Sequence, residues 1–568
     1  MAGAEPFGRG GKEIVKKALT VWMCTWCALG IAQTTEELLN VNNNSENVTT
    51  QGMGYDLKNH SPLKQINITN NKRLVPIWSM SLMNDQGELA QPTIYSGVMY
   101  AVNGKWTFAI DVATGRQIWR TPAESAPEAA AHACCSAINR GAATIYHGKL
   151  FRVTLDAHVV ALDMKTGAQI WKQKFADFSE GYTATSAPLI ANGVLITGMA
   201  GGDFTTRGFL NGWDPETGEH LWRLYTIPAP GEPGSETWPK DSDSYKYGGA
   251  ATWRTGAYDP ELDLVYWGTG NAEPWNPHPR GGLDSLYSSS LLAFRPKTGE
   301  LVWHYQYTPN DVYDVDGTDE PVLADIMIDG QERKVLFQVN KNGFMYTIDR
   351  TNGKLIAAHP FTRVNWATHI DLGTGRPVLT DLGDRLARGE EVVIYPQRGG
   401  NAVPVAYNPN TGLIYTSSWQ LPRIIKIAPP ANQIIGARSE GVTTRRHEIQ
   451  PGEVVGHHIA MDPITGKKKW EIPLVEKANS AGMLVTDGGL IFTGTLDGKV
   501  IALDEASGKT VWEFQTGSSI NATPVTDTYN GRQYLSIASG LGGLNARRMT
   551  GNSVPTGGSM WTFALISD

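Results

Sequence analysis

One thirteen-residue pattern returns eight times along this 568-residue chain: a β-rich run ending in Asp, a Thr-Gly or Ser-Gly turn, and a short apolar run ending in Trp. It reads FAIDVATGRQIWR at 108–120, VALDMKTGAQIWK at 160–172, NGWDPETGEHLWR at 211–223, LAFRPKTGELVWH at 292–304 and IALDEASGKTVWE at 501–513. Degraded copies stand at 346–358, 405–417 and 459–471. The turn glycines at 115, 167, 218, 299, 353, 412, 466 and 508 recur about every 56 residues, a period that belongs to stacked structural units. Each copy predicts a hairpin, because the turn Gly tolerates positive φ and the flanking runs are rich in strand formers. Further strand runs upstream, such as Leu189-Ile190 followed by Val194-Leu195-Ile196, bring each unit to about four strands. Four-stranded units repeated radially make a propeller, so the expectation is all-β with eight blades, each recurring Trp docked between neighbours with its indole N–H on a backbone carbonyl. Those Trp residues are read as structural. The strand runs near 533–537 and 560–566 are expected to complete a blade begun near residue 75, removing free sheet edges.

Function is sought where the period is broken, since loops on one face of such a scaffold carry chemistry. The interval from Gly218 to Gly299 is the longest, and its excess holds the acidic and aromatic stretches 231–247 and 267–287. The formal charge of −7 argues against a nucleic-acid binder, which needs a basic face. Arg9, Lys12, Lys16 and Lys17 precede an apolar run over 18–32 that ends in Gly30-Ile31-Ala32, the layout of a secretory signal peptide. The run is shorter than the about 20 residues a membrane-spanning helix needs, so no span is expected in the mature chain. The expected layout is a signal peptide over 1–32, a polar lead-in over 33–72 that wraps the surface or stays mobile, and the propeller over 73–568. Removing 1–32 takes Cys24 and Cys27 with it, leaving Cys134 and Cys135. In an oxidising compartment a disulfide between them is the natural fate, against the alternative of two buried thiols. Adjacent Cα atoms lie closer than the usual disulfide separation, so such a ring is strained.

The segment His132-Ala-Cys-Cys-Ser-Ala-Ile-Asn-Arg140 resembles the vicinal-disulfide segment of the methanol/ethanol dehydrogenases that use pyrroloquinoline quinone (PQQ). Gly270-Asn271-Ala-Glu-Pro-Trp-Asn-Pro277 is similar to that family's metal loop, and Pro309-Asn-Asp-Val-Tyr-Asp-Val-Asp-Gly317 to its catalytic Asp segment. With Gly201-Gly-Asp-Phe-Thr-Thr-Arg-Gly208, Lys341-Asn-Gly-Phe-Met-Tyr-Thr-Ile-Asp-Arg350 and the repeats, the resemblance covers the whole mature chain. It implies PQQ held between the Cys134–Cys135 disulfide and the ring of Trp253, which taken alone reads as a core aromatic. It also implies Arg140 and Thr185 on the cofactor's carboxylates, Glu88 at its edge, Gly201 and Gly202 beside it, and Lys341 on its reactive oxygens. Asp203, Asn271 and Asp314 are the implied metal ligands, an all-oxygen set suited to a hard cation. Two positions depart from the commonest pattern. Asp203 replaces a Glu and is one methylene shorter, while Asp316 matches an added carboxylate of lanthanide-using members. Were 314–316 a strand, i and i+2 would share a face, and a third carboxylate favours a lanthanide(III) over Ca²⁺.

The chemistry the resemblance implies is alcohol oxidation, with Asp314 as general base and Lys341 stabilising charge on the quinone oxygen. The Cys-x-x-Cys-His attachment motif of a c-type haem does not occur, so the implied electron acceptor is a separate c-type cytochrome, and a homodimer is compatible with the family pattern. Ala402 after Asn401, and Leu544, stand where small-alcohol oxidisers often carry Trp, pointing to a roomy pocket for secondary or bulky alcohols. The rival readings are a PQQ enzyme acting on sugars or polymer alcohols, and a non-catalytic periplasmic propeller scaffold.

Overall fold

The computed structural model describes residues 33–83, 88–134, 141–400, 403–429, 434–438, 440–479, 481–542, 549–551 and 553–566. Residues 1–32, the expected signal peptide, lie outside them, and no described helix is long and apolar enough to cross a membrane. The described chain is all-β: antiparallel sheets of four strands follow one another, with only short helical turns between. The hairpin of the repeat supplies the last two strands of a sheet, as in Trp106–Asp111 paired with Gln117–Pro122, where a register shift beside the turn matches the bulge that a Gly turn creates. The first such sheet is Thr93–Tyr95, Val98–Val102, Trp106–Asp111 and Gln117–Pro122.

Neighbouring sheets are joined by the recurring Trp. Trp119 lies on Gly167 of the next sheet and donates Nε1–H to Met164 O at 3.0 Å; a Cβ on Gly167 would stand 2.5 Å from that ring. Trp78, Trp222 and Trp470 cover Gly115, Gly299 and Gly508 and donate to carbonyls in the same way; Trp171 and Trp303 cover Gly218 and Gly353, but their indole N–H groups find no hydrogen-bond partner among the described residues, unlike the expected pattern, and His359 takes the part of a missing Trp over Gly466. Trp512 then donates to Leu74 O at 3.0 Å, so the docking chain returns to Leu74–Ser81, whose Trp78 covers the first turn glycine. That strand, Leu74–Ser81, pairs with Ser559–Leu565, which pairs with Arg532–Ser539, joining the two ends of the domain in one sheet as the sequence predicts.

The copies of the pattern do not fall one to a sheet. The copy at 405–417 forms Ala406–Asn408 and Leu413–Trp419, the first hairpin of the sheet whose last hairpin is the copy at 459–471. The sheet closed by Leu74–Ser81 contains none. The physical difference is visible at the turn: Gly412 has open space around it, whereas the other seven turn glycines lie under a ring.

The lead-in is built into the fold. Leu38, Val48, Leu57 and Ile66 are buried, and His60–Ser61 pairs in parallel with Val485 and Thr486. Between Ala367 and Arg446 an insertion adds a small hairpin, Ala367–Ile370 with Pro377–Leu379, a helix Leu382–Ala387, and a sheet of Val392–Ile394, Arg423–Ile427 and Val442–Arg446. This insertion reaches the acidic cluster described next.

Candidate active site

Three segments from different sheets bring carboxylates together. The first is the tight turn at Gly202–Phe204, which carries Asp203. Gly201 enters that turn at φ 105°, and a Cβ there would lie 1.9 Å from Gly181 O, so only glycine fits. The second is the loop after Leu264–Gly268, which presents Asn271 and Glu273 against Gly248–Ala250 through an antiparallel bridge at Gly249 and Ala272. The third is 314–316. It is a loop and not the strand that the i, i+2 argument assumed, since Asp314 has φ 57° and no ladder partner. Asp314 and Asp316 nevertheless converge, because one cation ties them: Lys341 Nζ lies 2.8 Å from Asp314 Oδ1 and 2.7 Å from Asp316 Oδ2. Lys341 stands in the turn between Gln331–Val339 and Phe344–Asp349 and is only 6% exposed, the opposite of a solvated surface lysine. Asp316 Oδ1 accepts the backbone N–H of Asn271 at 2.9 Å, which fastens the second segment to the third.

The electrostatics divide the cluster in two. Burial resists ionisation of Asp314, but Lys341 and Arg423 outweigh it and hold the carboxyl down at about 2. Burial also works against the charge of Lys341, yet Asp314 and Asp316 lift it to about 12. On the other side, burial and the negative charge of Asp314 push Asp203 up to about 6. Burial, with Asp203 and Glu440 close by, raises Glu273 well above the usual carboxylate range. Asp203 and Glu273 are therefore the acids of the cluster whose charged form is least favoured, and a cation beside them would relieve that cost.

Of the residues expected at the cofactor, Thr185 and Trp253 are brought together: Thr185 Oγ1 donates to Trp253 O at 3.3 Å, and the half-buried Trp253 packs against the core cluster that contains Ala184, Ala251 and Trp267. Glu88 is buried and accepts from Asn103 Nδ2 at 3.2 Å. Cys134 is partly exposed at the end of the short helix Pro127–His132; Cys135 and Arg140, and with them the disulfide pairing, lie outside the described residues. Asn401, Ala402 and Leu544 lie outside them too.

Several site residues went unnoticed in the sequence. Arg423, the first residue of Arg423–Ile427, donates Nη2–H to Asp314 Oδ2 at 2.9 Å and Nη1–H to Tyr313 O at 2.7 Å, and its guanidinium lies over the Trp275 ring at 4.9 Å. Arg438 reaches to 3.6 Å from Asp203 Oδ2 and also pairs with Glu440. These three come from the insertion, far from Asp314 in sequence and without a motif of their own. Glu273 did leave a signal: it stands two residues after Asn271 and so shares its face.

The donor set suits a hard metal ion, being carboxylate and amide oxygens, and one of those oxygens, Glu273 Oε2, is buried without a hydrogen-bond partner. The side chains are not closed around one point, however: no three described His, Cys, Asp or Glu side chains gather as a metal centre, and the Lys341 ammonium takes the place at which Asp314 and Asp316 would share a cation. An ion there requires Lys341 to turn aside. Trp253, Thr185 and Lys341 offer an aromatic face, a hydroxyl and a buried ammonium, the kinds of group a planar acidic quinone would call for.

Residues 50–365 match a family model described as the β-propeller domain of PQQ-dependent glucose/ethanol/alcohol dehydrogenases, and 437–563 match one for the outer-membrane assembly factor BamB. The chain is 39% identical to the quinohemoprotein alcohol dehydrogenase ADH IIB of Pseudomonas putida, over 87% of this chain and 73% of that one. It is 38% identical to the quinoprotein alcohol dehydrogenase PedH of P. putida strain KT2440, over 94% and 93%. Among solved structures, a europium-containing methanol dehydrogenase superposes with a TM-score of 0.87 at 32% identity, covering 93% of this chain and all of that one. Sequence, fold and acidic cluster agree that this chain is an enzyme of the PQQ-dependent quinoprotein alcohol dehydrogenase family.

Proposed function

We propose that the chain is an eight-bladed periplasmic alcohol dehydrogenase that oxidises primary or secondary, bulky alcohols to aldehydes or ketones and passes the electrons to a separate c-type cytochrome. The observation that carries this reading is the Lys341 ammonium bridging Asp314 and Asp316, with Arg423 on the far oxygen of Asp314. The eight sheets of four or five strands among the described residues, docked in sequence, support the blade number, and the basic and apolar N-terminus supports export.

When bound, PQQ supplies the hydride acceptor and the metal ion a Lewis acid beside it. Trp253 and the Cys134–Cys135 pair would hold PQQ between them, with Arg140 and Thr185 on its carboxylates; Asp203, Asn271, Asp314 and Asp316 would hold the ion. Asp314 is the group that takes the hydroxyl proton of the alcohol, at a carboxylate oxygen. In this structure both its oxygens are tied to cations, Oδ1 to Lys341 and Oδ2 to Arg423, so it is a weak base until one oxygen is released. Lys341 then presents its charge to oxygen that gains electron density. Three carboxylates favour a trivalent ion over Ca²⁺, and a europium-containing relative has the same fold.

The test is dye-linked oxidation by the purified full chain given PQQ, in parallel with Ca²⁺ and La³⁺, on methanol, a secondary alcohol and a bulky alcohol. Activity that needs PQQ, appears with La³⁺ and is highest in kcat/KM on the larger alcohols is the expected result. Activity with Ca²⁺ alone would overturn the lanthanide assignment, and methanol as best substrate would overturn the roomy pocket.

A further inference from the structure

The acidic side of the cluster contains a carboxylate with no assigned task. Glu273 is 2% exposed. Its Oε1 is committed, accepting from Asn271 Nδ2 at 3.0 Å and from Trp275 Nε1 at 2.8 Å, while its Oε2 has no hydrogen-bond partner. A buried carboxylate oxygen without a donor costs several kcal/mol unless something else compensates it, so it calls for an explanation.

Its position supplies one. The segment 271–273 runs antiparallel to 248–250, with Ala250 N on Asn271 O and Glu273 N on Gly248 O, both at 2.9 Å. Asn271 and Glu273 therefore point to one side, and the side chain–side chain bond between them confirms it. A Cβ on Gly249 would stand 2.9 Å from Glu273 Cγ, and a Cβ on Gly202, next to Asp203, would stand 3.8 Å from the Gly249 Cα. Glu273 and the turn that carries Asp203 thus both approach the same bare glycine. Asp203 is itself shorter by one methylene, about 1.5 Å of reach, than a Glu at that position would be. The bonds from Asn271 Nδ2 to Ala272 O and to Glu273 Oε1 use both hydrogens of the amide, which turns Asn271 Oδ1 the other way, available to a cation.

We propose that Glu273 is a ligand of the metal centre: Oε1 fixes the Asn271 amide and Oε2 binds the ion, supplying the reach that Asp203 lacks. An ion bound there would draw in four carboxylates, Asp203, Glu273, Asp314 and Asp316, which do not close around one point without it, and their charge would favour a trivalent over a divalent ion. This rests on the reading that the cluster holds a metal.

The test is the luminescence lifetime of Eu³⁺ bound to the full chain reconstituted with PQQ, in H₂O and in D₂O, which counts the waters bound directly to the ion. Glu273→Ala is expected to add about one water, filling the vacated position as in other oxygen-ligand sites. Glu273→Gln, which keeps the shape and the bond from Asn271, guards against a folding defect and is expected to weaken Eu³⁺ binding in competition with a chelator. Affinity alone does not separate the roles, because an outer partner that merely orients a ligand also costs about 10–100-fold. Adding back the methylene should make the glutamate less necessary, so in an Asp203→Glu background Glu273→Gln is expected to cost less affinity than in the parent. Weaker binding with an unchanged water count in both Glu273 variants would make Glu273 a positioning residue for Asn271 and overturn the proposal, as would unchanged affinity. If the parent itself gives no protein-bound Eu³⁺ emission, it is the metal reading that fails.

Discussion

The aspartates of the repeat turns and the acids of the site are the same chemistry under opposite treatment. Asp163, in a turn, accepts from Lys165 N at 3.0 Å and from Thr166 N and Oγ1 at 2.8 Å each; although slight burial opposes it, these donors lower its pKa. Asp111 and Asp371 are wired to Thr114 and Thr374 in the same manner. Such an Asp is satisfied by atoms within three residues of itself, so its role is local and its sequence signal periodic. Asp203, Asp314 and Asp316 are partnered across distances of up to 235 residues, by Lys341, Arg423 and Arg438, and Asp203 and the neighbouring Glu273 are left with raised pKa values. The difference teaches that an acid completed by its own turn builds the scaffold, while one whose partners come from other sheets is available for chemistry.

Substitutions at the two kinds of acid should separate these roles. The largest effect is expected from Asp314→Asn, which keeps shape and removes the proton acceptor: kcat/KM should fall by about 10³-fold or more, with the melting temperature little changed. A loss of activity that tracks loss of fold would break the comparison. Next, Trp119→Ala empties the ring that lies on Gly167 and should destabilise the protein by about 3 kcal/mol, read from denaturant unfolding, while kcat of the remaining folded fraction stays near the parent value.

A third case sharpens the contrast because it belongs to neither group. Asp527, in Val525–Tyr529, is fully buried, neither carboxylate oxygen has a hydrogen-bond partner, and burial raises its pKa to about 8. A folded-state value above the unfolded one means that the native protein holds a proton which the unfolded chain has lost. Stability is therefore fully present below about pH 4, declines as pH rises toward about 8, and levels off above it. Asp527→Asn cannot ionise, so the difference between the parent and variant unfolding free energies should change with pH by at most about 1.4 kcal/mol per unit between those limits. A difference flat in pH would mean that Asp527 is ionised and solvated after all. The smallest effect is expected from Asp163→Ala: about 1 kcal/mol from its lost turn bonds, no more than about 2 °C in melting temperature, and no change in kcat/KM.

Much of the scaffold was legible because the information is local and repeated. Strand runs, turn glycines and docking Trp recur at a period that only stacked sheets satisfy, and even the joining of the chain's two ends followed from leftover strands at 75 and 560. The hairpin at 405–417 shows the limit of that logic. It carries the pattern but no ring covers Gly412, because the pattern encodes a hairpin and not the hairpin's place within a sheet. At the site, Asp203, Asn271, Asp314, Asp316 and Lys341 were found through short motifs. Arg423, Arg438 and Glu440 were not, since an insertion carries them to the cluster and nothing near them in sequence marks it.

The sequence alone determined the all-β repeat architecture, the Trp docking and the segments that carry the acids, because each depends on contacts within a few residues or between identical neighbours. Tertiary structure decided which acids are paired with cations and which are left crowded with other acids. Those outcomes depend on which cations arrive from distant strands and on burial, and neither distance nor dielectric is written in the order of residues. Asp314 is held ionised by Lys341 and Arg423, and Glu273 is left with an unmatched oxygen beside Asp203, only because the fold brings those side chains together.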